Sequence, residues 1–199
     1  MPYNDNEYVA SQLQLITRES TDRSIGGIWC EILKTIFPWQ DYILEYNEHE
    51  MEKNYYDITK LDYETYEEYK QSRTYDQLNG LEQPDTIRVA IRSRKDEANS
   101  IPFFTVFCRS ALDEDRRTAW VQEQSHLRRA LGKAYQERKE CHECPLRGAV
   151  AVGRMVQFYE YKADGDLIPV WPWGTCEWHI RRDAEHVQGL LDEIASNHH

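Results

Sequence analysis

Pro84–Arg138 reads PDTIRVAIRSRKDEANSIPFFTVFCRSALDEDRRTAWVQEQSHLRRALGKAYQER, and its pattern decides the fold. Ile87–Arg92 predicts a first strand, entered through Pro84-Asp85. Phe103–Arg109 is a run of aromatic and β-branched residues and predicts a second. From near Asp113 the pattern changes period. Trp120, Gln124, Leu127, Leu131 and Tyr135 recur at steps of three and four, which puts them on one face of a helix that can lie across the two strands.

Working outward, Ser24–Phe37 predicts a helix with an apolar stripe of Ile25, Ile28, Trp29, Ile32 and Ile36, ended by Pro38. Tyr8–Ile16 predicts a shorter amphipathic helix whose role is packing alone, and Tyr42–Tyr46 a strand. Beyond the long helix, Gly148–Val152 and Met155–Tyr161 flank Gly153-Arg154 as a compact hairpin or bent strand. Leu167–Trp173 is extended, with Pro169 and Pro172 forcing an edge position. Asp183–Ala195 closes the chain as a helix with Val187, Leu190, Leu191 and Ile194 inward. Helices alternating with strands in this order imply one α/β domain spanning residues 1–199.

The 199 residues are 40% hydrophobic, with six Trp and thirteen Tyr, enough to bury a core. No apolar run approaches the ~20 residues that span a bilayer. MPYNDNEYVA has neither the basic start nor the apolar centre of a signal peptide, so a cytoplasmic or nuclear location is expected, with no membrane partner. Five scattered cysteines fit a reducing compartment, and Cys30 and Cys108, in apolar surroundings, read as core. The net charge is -11, and Asp41–Tyr69 holds ten acids against Lys53 and Lys60. This acidic, tyrosine-rich tract, residues 47–83, reads as an insertion or a partner-binding surface. Acidity argues against nucleic-acid binding unless a local basic face supplies the phosphate contacts.

The ordered set of Pro84-Asp85, Val106-Phe107-Cys108-Arg109, the helix with Gln124 and Leu127, and Gly148–Gly153 running into Val156–Glu160 resembles the PD-(D/E)XK nuclease-like superfamily. Within it, the chain resembles a set of uncharacterised fungal proteins, over about Ile25–Ile194. The resemblance implies a restriction-endonuclease-like core: a mixed central sheet flanked by helices, with the acidic tyrosine-rich tract inserted. In that superfamily two carboxylates at strand ends hold Mg²⁺, which activates water, and a lysine two residues past the second carboxylate reaches the same face. By position Asp85 is the first carboxylate, Phe107 stands where the second should be, and Arg109 where the lysine should be. Phenylalanine binds no metal, and arginine stays protonated and cannot serve as a base. A degenerate catalytic set of Asp85, Arg109 and Gln124 is therefore expected, with Glu31 and Glu45 as the carboxylates that could complete an Mg²⁺ site with Asp85.

Three readings follow. The first is a degenerate nuclease-like binding module, with Arg92, Arg94 and Arg109 as nucleic-acid contacts. The second is an active Mg²⁺-dependent DNA endonuclease with a relocated carboxylate. The third is an acidic protein-interaction module, with no nucleic-acid role. Arg128, Arg129 and Lys133 are expected to pair with Glu and Asp on the exposed helix face, with Glu123 to Arg128 and Asp113 to Arg117 at helix-neighbour spacings. Cys141, Cys144, Cys176 and His179 have spacings open to a structural zinc, although residues three apart in a strand point to opposite faces. Trp171, Trp173 and Trp178 could stack bases but read more simply as a packed edge. No Gly-rich phosphate loop, Gly-x-Ser-x-Gly elbow or His-Glu-x-x-His motif is present.

Overall fold

The computed structural model describes residues 2–47, 85–91, 102–138, 145–170 and 177–197. Among them are helices α1 (Glu7–Gln14), α2 (Asp22–Ile36), α3 (Arg117–Glu137) and α4 (Ala184–Ser196). The strands are β1 (Tyr42–Asn47), β2 (Asp85–Ile91), β3 (Phe104–Arg109), β4 (Leu146–Val152), β5 (Met155–Tyr161), β6 (Leu167–Pro169) and β7 (Trp178–His179). All seven strands join one mixed sheet in the order β1-β2-β3-β4-β5-β6, with β7 also on β5. Among the described residues only β3 and β4 run parallel, and α3 lies in the connection between them. Among the described residues no helix is long and apolar enough to cross a membrane.

The alternation of side chains along each strand sorts the interior into two layers. Phe104, Val106 and Cys108 of β3 join the core that holds Ile25, Trp29, Ile32 and Leu33 of α2 and Val187, Leu191 and Ile194 of α4. Phe107 joins the opposite core, with Trp120, Leu127 and Leu131 of α3 and Val150, Val152 and Tyr159 of the sheet. Cys30 is half-buried against the first core. The N-terminal turn is built in more firmly than its polar sequence suggests. Tyr3 is buried, its backbone N–H donates to Gln188 Oε1 at 2.7 Å, and its hydroxyl donates to the Ile180 carbonyl.

α2 starts where Thr21 Oγ1 accepts a hydrogen bond from the Ser24 N–H. It ends at Ile36, before Pro38, as the sequence predicts. α3 starts later than Asp113. Ser110 caps a 3-10 turn over Ala111–Asp113, and the regular helix begins at Arg117 with no side-chain cap. The Asp113 carboxylate, which could have capped a helix, is bound instead to Arg109 and Arg116.

Two glycines set how closely the layers approach. A Cβ on Gly148 would stand 2.5 Å from Leu127 Cδ1 and 2.8 Å from the Thr105 carbonyl oxygen, so α3 rests directly on β4 there. Gly153 turns β4 into β5 at a φ of 56°, and its N–H donates to the Arg109 carbonyl at 3.0 Å. A Cβ there would meet the Glu114 side chain and come within 2.7 Å of Ala111 Cα.

Candidate functional site at the carboxyl end of β3

The last residues of β3 lie at the end of the parallel pair, where open α/β sheets carry ligand sites. Here the chain has built an interior polar cluster. Arg109 is 8% exposed, and its Nε donates to Asp113 Oδ2 at 3.2 Å. Its Nη1 lies 3.6 Å from Oε1 of Glu123, a residue with no exposed surface. The other Glu123 oxygen, Oε2, is 3.0 Å from Nδ1 of His126, which places the imidazole in line to donate. The His126 ring in turn faces Phe107, with centroids 6.2 Å apart. Asp113 also accepts from Arg116 Nη1 at 2.9 Å. Burial pushes the Glu123 carboxyl above its ordinary pKa, and His126 and Arg109 offset part of that rise.

Glu123 is the residue that sequence reasoning misplaces. Neither spacing expected for Glu123 and Asp113 is used: Glu123 is turned into the interior and Asp113 holds Arg109 and Arg116, while on the exposed face Arg128 reaches Asp166 at 3.8 Å and Lys133 reaches Glu137 at 3.9 Å. A signal is present, because Glu123 lies three residues after Trp120 and four before Leu127, inside the buried stripe. A carboxylate in such a stripe needs a buried cation, and Arg109 is that cation.

Beside this cluster, Glu114 accepts three hydrogen bonds from Arg154: from N at 2.7 Å, Nε at 3.0 Å and Nη2 at 2.8 Å. Burial alone would raise the Glu114 carboxyl, but these bonds outweigh it and hold its pKa below the usual carboxylate value. Gln124, expected in the catalytic set, crosses from α3 to β5 instead. Its Nε2 donates to Tyr159 Oη at 2.7 Å and to Gln157 Oε1 at 3.3 Å. The Tyr159 hydroxyl donates to Gln157 Oε1, and Gln157 Nε2 to Glu177 Oε1 at 3.1 Å. This chain of amides ties helix to sheet.

The remaining sequence candidates are dispersed. The backbone of Asp85 pairs with Cys108, while Thr86 is the residue opposite Phe107. Glu31 is held by Lys34 at 2.6 Å on α2. Glu45 is exposed on β1, in register with the exposed Arg88. An Mg²⁺ ion needs several oxygens converging on one point. Among the described residues no three His, Cys, Asp or Glu side chains are grouped to hold a metal ion. The side chain of Asp85, on which the implied Mg²⁺ centre turns, lies outside the described residues. Of the zinc candidates, His179 Nδ1 accepts from the N–H groups of Arg181 at 3.1 Å and Arg182 at 3.2 Å. Burial, followed by the cations Arg182 and Arg154, lowers the His179 pKa. Trp178 stacks on His186 with centroids 5.0 Å apart. Arg92, Arg94, Cys141, Cys144, Cys176, Trp171, Trp173 and tract residues 48–83 lie outside the described residues.

No family model, curated protein or solved structure matches this chain. Its function has to be argued from its own geometry.

Proposed function

We propose that this chain is a non-catalytic binding module on a restriction-endonuclease-like scaffold. The observation that carries this reading is the fate of the two positions where the resemblance expects a carboxylate and a lysine. Phe107 packs against His126 and α3, and Arg109 is closed into a pair of carboxylates, Asp113 and Glu123. A guanidinium held inward by two acids cannot orient water or meet a phosphate without breaking a buried ion pair. The crossover of α3 between parallel β3 and β4, next to antiparallel β1 and β2, is in keeping with such a scaffold.

The test is cleavage of plasmid and single-stranded DNA in Mg²⁺ or Mn²⁺, run beside Asp85→Ala. No metal-dependent cutting is expected from either protein. Cutting by the parent that disappears in Asp85→Ala would overturn the reading.

One observation favours the endonuclease alternative. Glu123 is a buried carboxylate one helix away from the vacated position, where a relocated acid could act. Under that alternative Glu123→Gln would abolish cutting while the protein stays folded. Under the reading proposed here there is no activity for it to abolish.

A further inference from the structure

The inward turn of Glu123 changes what α3 shows to solvent. Arg116–Arg138 contains six bases (Arg116, Arg117, Arg128, Arg129, Lys133 and Arg138) and two acids, Glu123 and Glu137, for a net charge of +4 in a protein of -11. With Glu123 fully buried, Glu137 is the one acid of α3 left at the surface. Arg116, Arg117, Arg128, Arg129 and Lys133 are all exposed. At 3.6 residues per turn Arg117 and Arg128 fall within about 20° of each other, and Arg129 and Lys133 about 120° and 160° round from Arg117, so the four bases spread over the solvent-facing half of α3. The basic face therefore runs about 24 Å from Arg117 to Lys133 at 1.5 Å per residue.

Little of this charge is neutralised locally. Arg128 is 3.8 Å from Asp166 and Lys133 is 3.9 Å from Glu137, and all four side chains are more than half exposed. Such pairs are weak and open readily in water. Arg117 and Arg129 make no ion pair among the described residues. Of the acids before α3, Asp113 and Glu114 are committed to Arg109, Arg116 and Arg154, and the exposed Asp115 offsets one base at the Arg117 end of the face.

We propose that the outer face of α3 is a docking surface for the phosphate backbone of nucleic acid. This rests on the chain being a binding module, and it moves the contact residues from Arg109, which is buried, to Arg117, Arg128, Arg129 and Lys133. Three of these four are arginines, whose planar fork matches phosphate oxygens in pairs. A phosphate chain needs no apolar anchor, since its affinity comes from releasing counterions. A protein partner would normally find a buried aromatic or aliphatic anchor, and the large apolar side chain exposed on α3 is Val121 alone. A membrane surface would need an apolar helix face to insert, and that face of α3 is packed on the sheet.

The experiment is fluorescence anisotropy at low salt and through a KCl titration, with a short DNA duplex, its single strand and the matching RNA. The fourfold variant Arg117→Gln, Arg128→Gln, Arg129→Gln, Lys133→Gln is compared with Arg181→Gln, Arg182→Gln, a control at exposed bases between β7 and α4. Circular dichroism and a urea midpoint establish that both variants are folded. The parent is expected to bind with an affinity that falls as salt rises. The fourfold variant is expected to lose about tenfold or more in affinity, and up to about 3.6 units of salt slope on the duplex, at ~0.9 for each phosphate left without its cation. The control should keep the parent's affinity. The proposal is overturned if the parent binds none of the three, if the fourfold variant keeps the parent's salt slope, or if the control loses as much as the variant. Capture by anionic phosphatidylserine vesicles without nucleic-acid binding overturns it as well. Failure here removes nucleic acid as the partner and leaves the non-catalytic reading intact, whereas metal-dependent cutting sinks that reading and leaves this surface standing.

Discussion

The two faces of the sheet are closed by different means. On the α2 and α4 face the layer around α2 is hydrocarbon, with Ile25, Trp29, Ile32, Leu33, Phe104, Val106, Leu191 and Ile194 in a continuous core, and its buried polar groups stand toward α4: Gln188 with Tyr3, and Arg147 with Glu160 and Glu193. On the α3 face the apolar cluster of Trp120, Leu127, Leu131 and Val150 is interrupted by Arg109, Glu123, Gln124 and Gln157. Apolar packing is non-directional and tolerates exchange of similar side chains. A buried polar group must find its partner or bear the full cost of desolvation. Packing against α2 can therefore fix how much surface is buried, while the α3 layer also fixes register, since Glu123 must meet a residue at the end of β3.

The largest test of this contrast is the buried ion pair. Glu123→Leu alone leaves Arg109 short of one of its two carboxylates in the interior, and should cost about 3–5 kcal/mol in urea unfolding. Arg109→Met alone, which strands Glu123 with His126, should cost a similar amount. The double variant should recover most of the loss, because an apolar pair of similar volume replaces a pair whose desolvation was expensive. Strictly additive losses would show that the two residues are not coupled, and the contrast between the faces would fail.

The amide chain gives a smaller effect. Gln124→Ala removes the donor that satisfies Tyr159 Oη and leaves that oxygen buried at the α3 interface. A loss of about 1–2 kcal/mol is expected, because Tyr159 can still donate to Gln157. Gln124→Glu should be worse than Ala. It replaces the donor with a carboxylate facing the oxygens of Tyr159 and Gln157. If both variants keep the parent's urea midpoint, the network is not holding helix to sheet.

The same asymmetry governs how much of the molecule is legible in its sequence. The α2 helix is legible from Ile25, Ile28, Trp29 and Ile32, with Pro38 marking its end, because apolar periodicity and a proline are local signals. The hairpin at Gly153 is legible for the same reason, and so is the buried run Phe104–Arg109. A start of α3 near Asp113 is too early, because the tertiary position of Arg109 draws that carboxylate away from the helix end. Glu123 reads as a surface partner of Arg128 because a helical acid near a base usually is one. Its place between Trp120 and Leu127 signals that it faces in, but the cation that meets it there, Arg109, lies on another element that no local pattern names. The burial of Tyr3 is hidden likewise: its partners, Ile180 and Gln188, come from the far end of the chain.

Two carboxylates on the α3 side of the sheet should titrate with opposite signs, and this is the finest test. Glu123 has its folded pKa raised above 4.5 by burial. The folded state therefore takes up a proton more readily than the unfolded chain, and stability is gained as the pH falls through the raised value toward 4.5. Glu114 is the reverse. Its folded pKa is below 4.5, held there against burial by the bonds from Arg154, so its contribution is present above 4.5 and lost as the pH falls below it. The urea midpoint of the parent relative to Glu123→Gln should thus rise as the pH falls from neutral toward 4.5, and that relative to Glu114→Gln should fall below 4.5. Subtracting the variants removes the titration of the remaining carboxylates common to all three proteins. If the Glu123 difference is flat across its window, the carboxylate titrates as it would in water, and Arg109 has fully offset the cost of burying it. The α3 face would then be as permissive as the hydrocarbon layer around α2, and its polar cluster would set no register.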